Sequence, residues 1–252
     1  MIKILLYGSS GKMGESVIRV VKDSEDFEIV AGVDALSPAE DLPFPTFTDI
    51  NDCNILADII IDFSTSAAVP AAVKYAVLKK IPIIICTTAL SDETILKINE
   101  ASKVIQVLKS ANMSVGINLL IGLLKKCAPV LDEAGFDIEI VEKHHRRKTD
   151  APSGTAFMLA DAVNEVSDGK FNYVYERESA SEKRKDTDIG IISVRGGTIA
   201  GEHDIIFAGE NEIVELNHRA LSNDVFTNGA LLAAKFLIKQ KQGLYSMEDI
   251  FN

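Results

Sequence analysis

Candidate catalytic groups are concentrated in one short segment of this acidic chain, residues 142–156, which reads EKHHRRKTDAPSGTA. Two adjacent histidines, His144 and His145, are followed closely by Lys148. An imidazole that titrates near neutral pH and a nearby lysine are both candidate proton donors. Concentrated positive charge in a chain with a net charge of -11 favours an anionic substrate. The segment therefore predicts an active site for a small anionic molecule.

The same segment predicts the start of a helix. Asp150 is a suitable N-cap, Pro152 suits the first turn, and apolar residues then recur with helical spacing. The first N–H groups of a helix are unpaired and attract anions. We expect a substrate carboxylate to be held there by Ser153, Gly154 and Thr155. An exposed basic loop before an ordinary capped helix is the alternative interpretation.

Two other kinds of site are disfavoured by the same residues. Adjacent histidines on an extended segment point to opposite faces, and no cysteine or carboxylate pair has metal-ligand spacing nearby, so we expect no metal. The basic run is short, and an isoelectric point near 4.9 would repel a phosphate backbone. We therefore expect no nucleic-acid partner.

A second motif lies near the start of the chain. A buried strand is predicted over 2–6, the sequence GSSGKMG follows at residues 8–14, and a helix and a second strand end at Asp34. This spacing is typical of a dinucleotide-binding βαβ unit, in which glycines allow close approach to the pyrophosphate and the acid binds the ribose. The predicted contacts are Gly8, Ser9, Ser10, Gly11, Lys12, Met13 and Asp34.

Strands and helices continue to alternate up to about residue 113. Strands are predicted over 57–63, 81–87 and 104–108, and helices over 67–80 and 91–101. Such alternation predicts a parallel sheet covered on both faces, with ligands beyond the carboxyl ends of its strands. Further cofactor contacts are therefore expected from Cys86, Thr87, Thr88, Ser110, Ala111, Asn112 and Met113. Capping of the following helices by these serines and threonines is the alternative.

The pattern changes after residue 113. A helix over 115–131 is followed by a strand over 136–142, the basic segment with its helix, and strands over 189–195, 204–209 and 213–217. We expect an α/β protein with a Rossmann-like parallel-sheet nucleotide domain and a second α+β domain with a mixed or antiparallel sheet. The charged segment 167–188 is predicted to be an exposed loop or a partner contact. A final apolar helix over 226–239 is expected to return to the first domain.

Composition is consistent with this plan. The chain has 252 residues and 47% hydrophobic content, enough for one or two sizeable cores. No apolar run has the length of a membrane span or a signal peptide, so we expect a cytoplasmic protein without a membrane partner. Three cysteines without motif spacing favour buried thiols in a reducing compartment.

Together the two motifs resemble the 4-hydroxy-tetrahydrodipicolinate reductase family, long called dihydrodipicolinate reductase, of lysine and diaminopimelate biosynthesis. The resemblance runs nearly end to end. The matching segments are GxxGxMG near the start, HHxxKxDAPSGTA in the middle, and residues 62–64, 87–88, 111–116, 195–197, 201–203 and 243–247.

The resemblance implies a reaction and a role for each residue. A hydride from NADH or NADPH would reduce a cyclic dicarboxylate, with loss of water. His144 would be the catalytic acid, Lys148 a second proton donor and carboxylate partner, and His145 a substrate contact. Residues 1–113 and 224–252 would form the dinucleotide-binding domain and 114–223 the substrate-binding and oligomerisation domain of a homotetramer. Hinges near 113 and 224 would allow closure of the histidine and lysine over the nicotinamide.

The chain departs from the family pattern at four positions. Cys86 replaces the usual glycine, Met113 stands where phenylalanine is common, and Asn223 stands where some relatives have arginine. Ala35 replaces an arginine that can hold a 2′-phosphate, so Asp34 followed by Ala35 predicts a modest preference for NADH.

Three other functions are compatible with parts of the pattern. A semialdehyde dehydrogenase would need a nucleophilic cysteine beside a histidine, and Cys127 lies in an apolar helix. A noncatalytic nucleotide sensor would have no use for both His144 and Lys148. A relative that only hydrates or desaturates the same ring is the third alternative.

Overall fold

The computed structural model describes residues 1–35, 42–178 and 183–251, and the chain divides into two compact units. The first unit contains Met1–Val115 and Asn223–Asn252, and the second contains Gly116–Ser222. Because the first unit is assembled from both ends of the chain, the second is an insertion between them.

The described residues form strands and six helices in the following order along the chain. The strands are β1 (Ile2–Tyr7), β2 (Phe27–Val33), β3 (Thr46–Phe47), β4 (Ile59–Asp62), β5 (Ile83–Ile85), β6 (Gln106–Lys109), β7 (Asp137–His144), β8 (Asn172–Val174), β9 (Asp188–Arg195), β10 (Gly201–Ala208), β11 (Ile213–Ala220) and β12 (Gly243–Tyr245). The α-helices are α1 (Lys12–Val21), α2 (Val69–Lys79), α3 (Asp92–Ser102), α4 (Val115–Glu133), α5 (Gly154–Glu165) and α6 (Asp224–Leu237). Two 3-10 helices cover Ile50–Asp52 and Glu248–Ile250.

The first unit contains a parallel sheet in the order β12-β6-β5-β4-β1-β2-β3. Side chains alternate across it, so Leu5 packs with α2 and α3 on one face while Ile4 and Leu6 pack with α1 and α6 on the other. The isoleucines of β5 are fully buried, and burial of each contributes about 1.5–3 kcal/mol. The predicted parallel sheet with helices on both faces is confirmed.

The end of the chain completes this unit. In α6, Thr227 is buried against the hydroxyl of Ser16, which also donates to Asp224 at 2.6 Å. Gly229 lies against the Met113 carbonyl so closely that a Cβ would collide with it. The strand β12 then pairs with β6 at the edge of the sheet. Neither β12 nor β3 is predicted from the sequence, because these short edge strands lack the continuous apolar run that marks β5.

The second unit contains a mixed sheet in the order β11-β10-β7-β9-β8. Its antiparallel pairs are β11–β10 and β10–β7, and its parallel pairs are β7–β9 and β9–β8. One face carries Ile140, Ile191 and Phe207 and packs on α4 and α5. The predicted mixed sheet is confirmed, and its polar residues at one end of this apolar face form the site described below.

In the charged segment 167–188, residues 175–178 and 183–187 are irregular and mostly exposed, as a loop would be, but other parts of the segment pack on the sheet. Phe171 is buried, β8 pairs with β9, and Arg184 donates to Asp137 at 2.5 Å and to Glu139 at 3.1 Å. These long-range ion pairs fix its charged residues on the sheet, which local composition cannot predict. Residues 179–182 of the segment lie outside the described residues. No helix in the described part of the chain is sufficiently long and apolar to cross a membrane.

Candidate active site

A fully buried carboxylate organises the candidate site in the second unit. Glu142 and His144 are two residues apart on β7 and therefore lie on the same face. The exposed fraction of Glu142 is 0%, and its carboxylate lies 2.6 Å from Nδ1 of His144. Arg195 of β9 donates to both carboxylate oxygens, at 2.7 and 2.6 Å. A bidentate contact with a guanidinium is among the strongest hydrogen-bonding arrangements that can stabilise a buried carboxylate.

The carboxylate also fixes the start of α5. The backbone N–H of Ser153 donates to Glu142 at 3.0 Å, and the Ser153 hydroxyl accepts from the Ala156 N–H at 3.2 Å. Ser153 is therefore the N-cap, and the prediction of Asp150 as N-cap and Pro152 in the first turn is wrong. The Asp150 carboxylate instead pairs with Lys148 at 2.9 Å, and the backbone carbonyl of Asp150 accepts a hydrogen bond from Arg195 at 2.7 Å.

The predicted substrate residues differ in what they offer. Ser153 is buried, and both its amide and its hydroxyl are engaged within the protein. Gly154 is exposed, with open space where a Cβ would point, and Thr155 is half-buried beside it. The first turn of α5 therefore presents an accessible anion-binding end at Gly154 and Thr155.

The loop between β7 and α5 contains the other predicted groups. Lys148 is held by Asp150, with 22% of its side chain exposed, whereas Arg146 and Arg147 are exposed to solvent. Nδ1 of His145 is buried and has no hydrogen-bond partner among the described residues. A buried polar atom without a partner is costly, and a ligand that fills the contact removes the cost.

Sequence reasoning missed three residues of this site: Glu142, Arg195 and His203. His203 of β10 lies 3.1 Å from the Ser153 hydroxyl, and its ring meets that of His144 edge-on, with 5.3 Å between centroids. Glu142 could have been found from its spacing, because a carboxylate two residues before a histidine in a buried strand shares its face. Arg195 and His203 lie in the family-matching segments 195–197 and 201–203, but they come from other strands, and nothing local assigns them to this site.

Burial and charge set the protonation of these groups. Burial alone would raise the pKa of Glu142, but hydrogen bonds from Arg195 and His144 outweigh it and lower the pKa to about 2. Burial lowers the pKa of His144, the bond to Glu142 opposes this, and the charges of Lys148 and Arg195 lower it further. At pH 7 His144 in the free protein is therefore mainly neutral.

His203 makes the protein sensitive to acid. Burial, followed by the charge of His144, lowers the pKa of His203 to about 3. A depressed pKa for a base means that the unfolded chain binds more protons between about pH 3 and 6.5, so stability present above pH 6.5 is lost as the pH falls. This loss is up to about 1.4 kcal/mol per pH unit. We expect His203→Asn to flatten the decline in the free energy of unfolding between pH 6.5 and 4, measured by urea denaturation. A decline as steep as in the unsubstituted protein would contradict this assignment.

The first unit contains the predicted dinucleotide loop between β1 and α1. Gly8 has a φ of 87°, and a Cβ there would lie 2.6 Å from the Phe63 carbonyl oxygen. A Cβ on Gly14 would collide with the carbonyls of Gly8 and Ser9. The N-cap of α1 is Gly11, which has no capping side chain. This glycine-lined turn before a helix leaves room and N–H donors for a pyrophosphate.

Asp34 and Ser10 are brought together beside this loop. The Ser10 N–H donates to the Asp34 carboxylate at 3.1 Å, at the carboxyl end of β2. Ser9 is buried, its side chain is directed at Gly32 and its N–H donates to the Val33 carbonyl at 3.3 Å, so Ser9 contributes to the shape of the loop and offers a ligand no exposed group. Lys12 is exposed and Met13 half-buried at the start of α1.

A buried aspartate holds the next two predicted loops together. The Thr87 hydroxyl donates to Asp62 at 2.7 Å, and both the amide and the hydroxyl of Ser64 donate to the same carboxylate. Burial raises the pKa of Asp62, and the hydrogen bonds from Ser64 and Thr87 oppose that effect. The adjoining cavity has a volume of about 270 Å³ and is lined by Met13, Phe63, Ser64, Thr65, Ser66, Cys86, Thr87 and Thr88.

A neighbouring cavity of about 350 Å³ collects most of the remaining predicted residues. It is lined by Lys12, Met13, Phe63, Cys86, Ala111, Asn112, Met113, Asn223 and Phe226. The turn before it is ordered by the Ser110 hydroxyl, which donates to the Asn112 carbonyl at 2.8 Å. Burial raises the pKa of the Cys86 thiol well above its ordinary value, so Cys86 is not an activated nucleophile. Among the described residues no group of three or more histidine, cysteine and acidic side chains could hold a metal ion.

These features define a class of protein. The parallel sheet, the glycine loop and the acid at the end of β2 are those of a dinucleotide-dependent oxidoreductase, and the residues around the cavities are compatible with a nicotinamide nucleotide. The second unit supplies a carboxylate-bound imidazole, a lysine and an accessible helix start, which suit proton transfer to an anionic substrate.

Comparison with known proteins identifies the family. The family description "Dihydrodipicolinate reductase, N-terminus" matches residues 2–113, and "Dihydrodipicolinate reductase, C-terminus" matches residues 116–251. The 4-hydroxy-tetrahydrodipicolinate reductase of Caldanaerobacter subterraneus subsp. tengcongensis is 54% identical over 99% of this chain and 98% of its own length. The corresponding protein of Clostridium tetani is 44% identical over 100% of this chain and 98% of its own length.

A solved structure agrees with this result. The dipicolinate-bound dihydrodipicolinate reductase from Paenisporosarcina sp. TG-14 superposes with a TM-score of 0.82 at 26% identity and covers 99% of both chains. The chain belongs to the dihydrodipicolinate reductase family, and it is an NAD(P)H-dependent oxidoreductase.

Proposed function

We propose that this chain reduces 4-hydroxy-tetrahydrodipicolinate to tetrahydrodipicolinate, with a hydride from NAD(P)H and loss of water, in lysine and diaminopimelate biosynthesis. The observation that carries the proposal is the combination of His144, Lys148 and the open start of α5 in one unit of a chain from this family. The dipicolinate found in the Paenisporosarcina reductase is a cyclic dicarboxylate of the same kind.

The substrate carboxylates are assigned to two groups of the second unit, the start of α5 and the Lys148 ammonium. Gly154 and Thr155 hold one carboxylate at the start of α5, where the helix dipole favours negative charge. Ser153 supports this site as the N-cap of α5 and does not bind the substrate itself, because its N–H and its hydroxyl are already hydrogen-bonded. Lys148 pairs with a substrate carboxylate and is the second proton donor. His145 is a further substrate contact in this assignment.

His144 is the catalytic acid and takes up its proton when substrate binds. In the free protein the neighbouring Lys148 and Arg195 disfavour its protonated form. A bound dianion offsets these charges and raises the pKa of His144. Its Nε2 lies beside Gly201, where a Cβ would stand only 3.1 Å away, so a larger residue at 201 would crowd the nitrogen that donates the catalytic proton.

The nucleotide is assigned to residues 1–113 and 224–252, and the substrate to 114–223. The pyrophosphate lies on the loop of residues 8–13, Asp34 binds the adenosine ribose, and residues 86–88 and 110–113 surround the nicotinamide end. When bound, the reduced nicotinamide supplies the hydride. The protein supplies position, the carboxylate contacts and a proton.

A modest preference for NADH follows from the end of β2. The Asp34 carboxylate is fixed by Ser10 and would repel a 2′-phosphate, and Ala35 offers no positive charge to offset this. Lys12 opposes the preference only in part. We expect kcat/KM to be higher with NADH, and we expect Ala35→Arg to shift the ratio towards NADPH by about tenfold, equivalent to about 1.4 kcal/mol. A tenfold advantage for NADPH in the unsubstituted protein would refute the preference.

Assembly as a cytoplasmic homotetramer is also part of the proposal. The face of the second sheet opposite α4 and α5 carries the exposed apolar residues Ile192, Val194 and Ile213, and a second copy of this chain would cover them. Light scattering should give about four times the protomer mass of 27.4 kDa. A monomer at micromolar concentration would exclude this assembly.

The direct test is a coupled assay. Purified protein is mixed with substrate generated in place by a dihydrodipicolinate synthase, and the loss of reduced-nicotinamide absorbance is followed with NADH and NADPH in parallel. Oxidation that depends on the synthase is the expected result. No oxidation with either cofactor, despite tight nucleotide binding, would favour the nucleotide sensor or a relative that acts differently on the same ring.

A further inference from the structure

A polar row crosses the inner face of the second sheet where its apolar face ends. Strand pairing places Glu142 of β7 opposite His203 of β10 and Ser193 of β9, and His203 opposite His218 of β11. The next row of the same face is Ile140, Ile191 and Ile205, all buried; it lies two residues earlier on β7 and β9 and two residues later on the antiparallel β10. Glu142 is the acidic member of the polar row, and it lies at the centre.

The contacts of Glu142 leave it little freedom. Its two oxygens accept from both Nη atoms of Arg195, from the Ser153 N–H and from Nδ1 of His144. The hydrogen bond to Glu142 raises the pKa of Arg195, and burial opposes that rise without cancelling it. Both partners of the ion pair therefore stay charged at neutral pH.

An ionised carboxylate accepts hydrogen bonds and donates none. At 2.6 Å, Nδ1 of His144 must therefore be the protonated nitrogen of the neutral ring. The consequence is that Nε2, the ring nitrogen next to Gly201, is the nitrogen that gains and releases the proton. The same carboxylate fixes the N-cap of α5 through Ser153.

We propose that Glu142 is a positioning residue of the reductase: it holds the His144 proton on Nδ1 so that Nε2 faces the substrate, and it fixes the start of α5 for carboxylate binding. The inference rests on the proposed function for its substrate, but the tautomer of His144 does not. A carboxylate that sets the tautomer of a catalytic imidazole typically changes turnover by about 10²-fold or more.

The decisive variant is Glu142→Gln. Its side-chain oxygen still accepts from Ser153 or Arg195, but its NH₂ group no longer accepts from Nδ1 of His144. In ¹⁵N-histidine NMR at pH 8, unsubstituted protein should show His144 as the Nδ1–H tautomer, and the variant should move towards Nε2–H. The His144 signal is assigned by its loss in His144→Asn.

Kinetics supply the second readout. We expect kcat of Glu142→Gln to fall about 10²-fold, with the dissociation constant for NADH unchanged. The groups around His144 are Glu142, Arg195, Lys148 and His203. Since Glu142 is the acceptor that raises the pKa of His144, its loss should shift the alkaline limb of the activity profile to lower pH.

Glu139→Gln is the matched control. Glu139 lies on the same strand but on the opposite face, where Arg177 and Arg184 donate to it. This control should change neither the His144 tautomer nor kcat, and light scattering checks that its assembly is intact. Glu142→Asp, which keeps the charge but withdraws it from His144, serves if the glutamine variant does not fold.

The outcomes separate the two proposals. An Nε2–H tautomer in unsubstituted protein, or full activity in Glu142→Gln, would overturn the role of Glu142. An Nδ1–H tautomer in a protein without reductase activity would uphold the positioning of His144 and instead remove the proposed reaction.

Discussion

Lys148→Ala is expected to lower kcat about 10²-fold or more, the usual effect of losing a general acid. The Lys148 ammonium lies 2.9 Å from Asp150, with part of its side chain exposed, so it is held in place but reachable by a ligand. Its loss removes both a proton donor and a partner for the substrate carboxylate. KM for the dicarboxylate should therefore rise as well, measured in the coupled assay.

Cofactor affinity distinguishes this role from a general loss of structure. The predicted nucleotide contacts all belong to the first unit, so NADH binding, measured by fluorescence titration, should be nearly unchanged. Arg147→Ala is the matched control, because Arg147 is an exposed cation of the same loop. If Lys148→Ala lost NADH affinity in proportion to kcat, the catalytic assignment would be refuted.

Arg195→Ala is expected to have the largest effect on stability. The substitution leaves Glu142, which is 0% exposed, without its bidentate partner. Removing one member of a buried ion pair typically costs about 3–5 kcal/mol, because the remaining charge stays in a poorly solvated place. Urea denaturation of the whole protein measures this cost, and hydrogen exchange in α5 reports on the second unit.

The stability deficit of Arg195→Ala is expected to depend on pH. In the unsubstituted protein Glu142 has a pKa of about 2, so its contribution to stability is present above its ordinary value of 4.5 and is lost as the pH falls towards 2. Without Arg195, burial is opposed less and the carboxyl takes up a proton more readily. The deficit of Arg195→Ala should thus shrink between pH 7 and 4. The double variant with Glu142→Gln should recover part of it, whereas an equal deficit at every pH would contradict the pairing.

The sequence predicts the larger elements of both units because each has a periodic or continuous apolar pattern. The strands β4 and β5 are predicted with ends one or two residues too long, since flanking apolar residues continue the pattern after pairing stops. In contrast, β8 and β12 have three residues each, and their partners β9 and β6 define them. Short edge strands depend on tertiary pairing and not on local preference.

In the candidate site, too, contiguous motifs are predictable from the sequence and contacts between distant strands are not. His144, Lys148 and the glycine loop are recognisable because each motif is contiguous. The start of α5 is misassigned because Asp150 and Ser153 are both capable N-caps, and the choice depends on Glu142 and Arg195. Arg195 is 53 positions from Glu142, so this contact depends on strand pairing across the sheet.

Because the first unit is discontinuous in the chain, it can be completed only after the second unit has been synthesised. Its sheet is left with an open edge at β6 and a face that only α1 covers until α6 and β12 emerge, with the buried residues Ala230, Ala234, Leu237 and Met247. Residues 116–222 leave the ribosome earlier and contain a core of their own. At about 5–20 residues per second, translation of the last segment takes a few seconds. The inserted unit is thus complete while the nucleotide unit still exposes apolar surface, so the nascent chain keeps an unfinished core until its last segment has emerged.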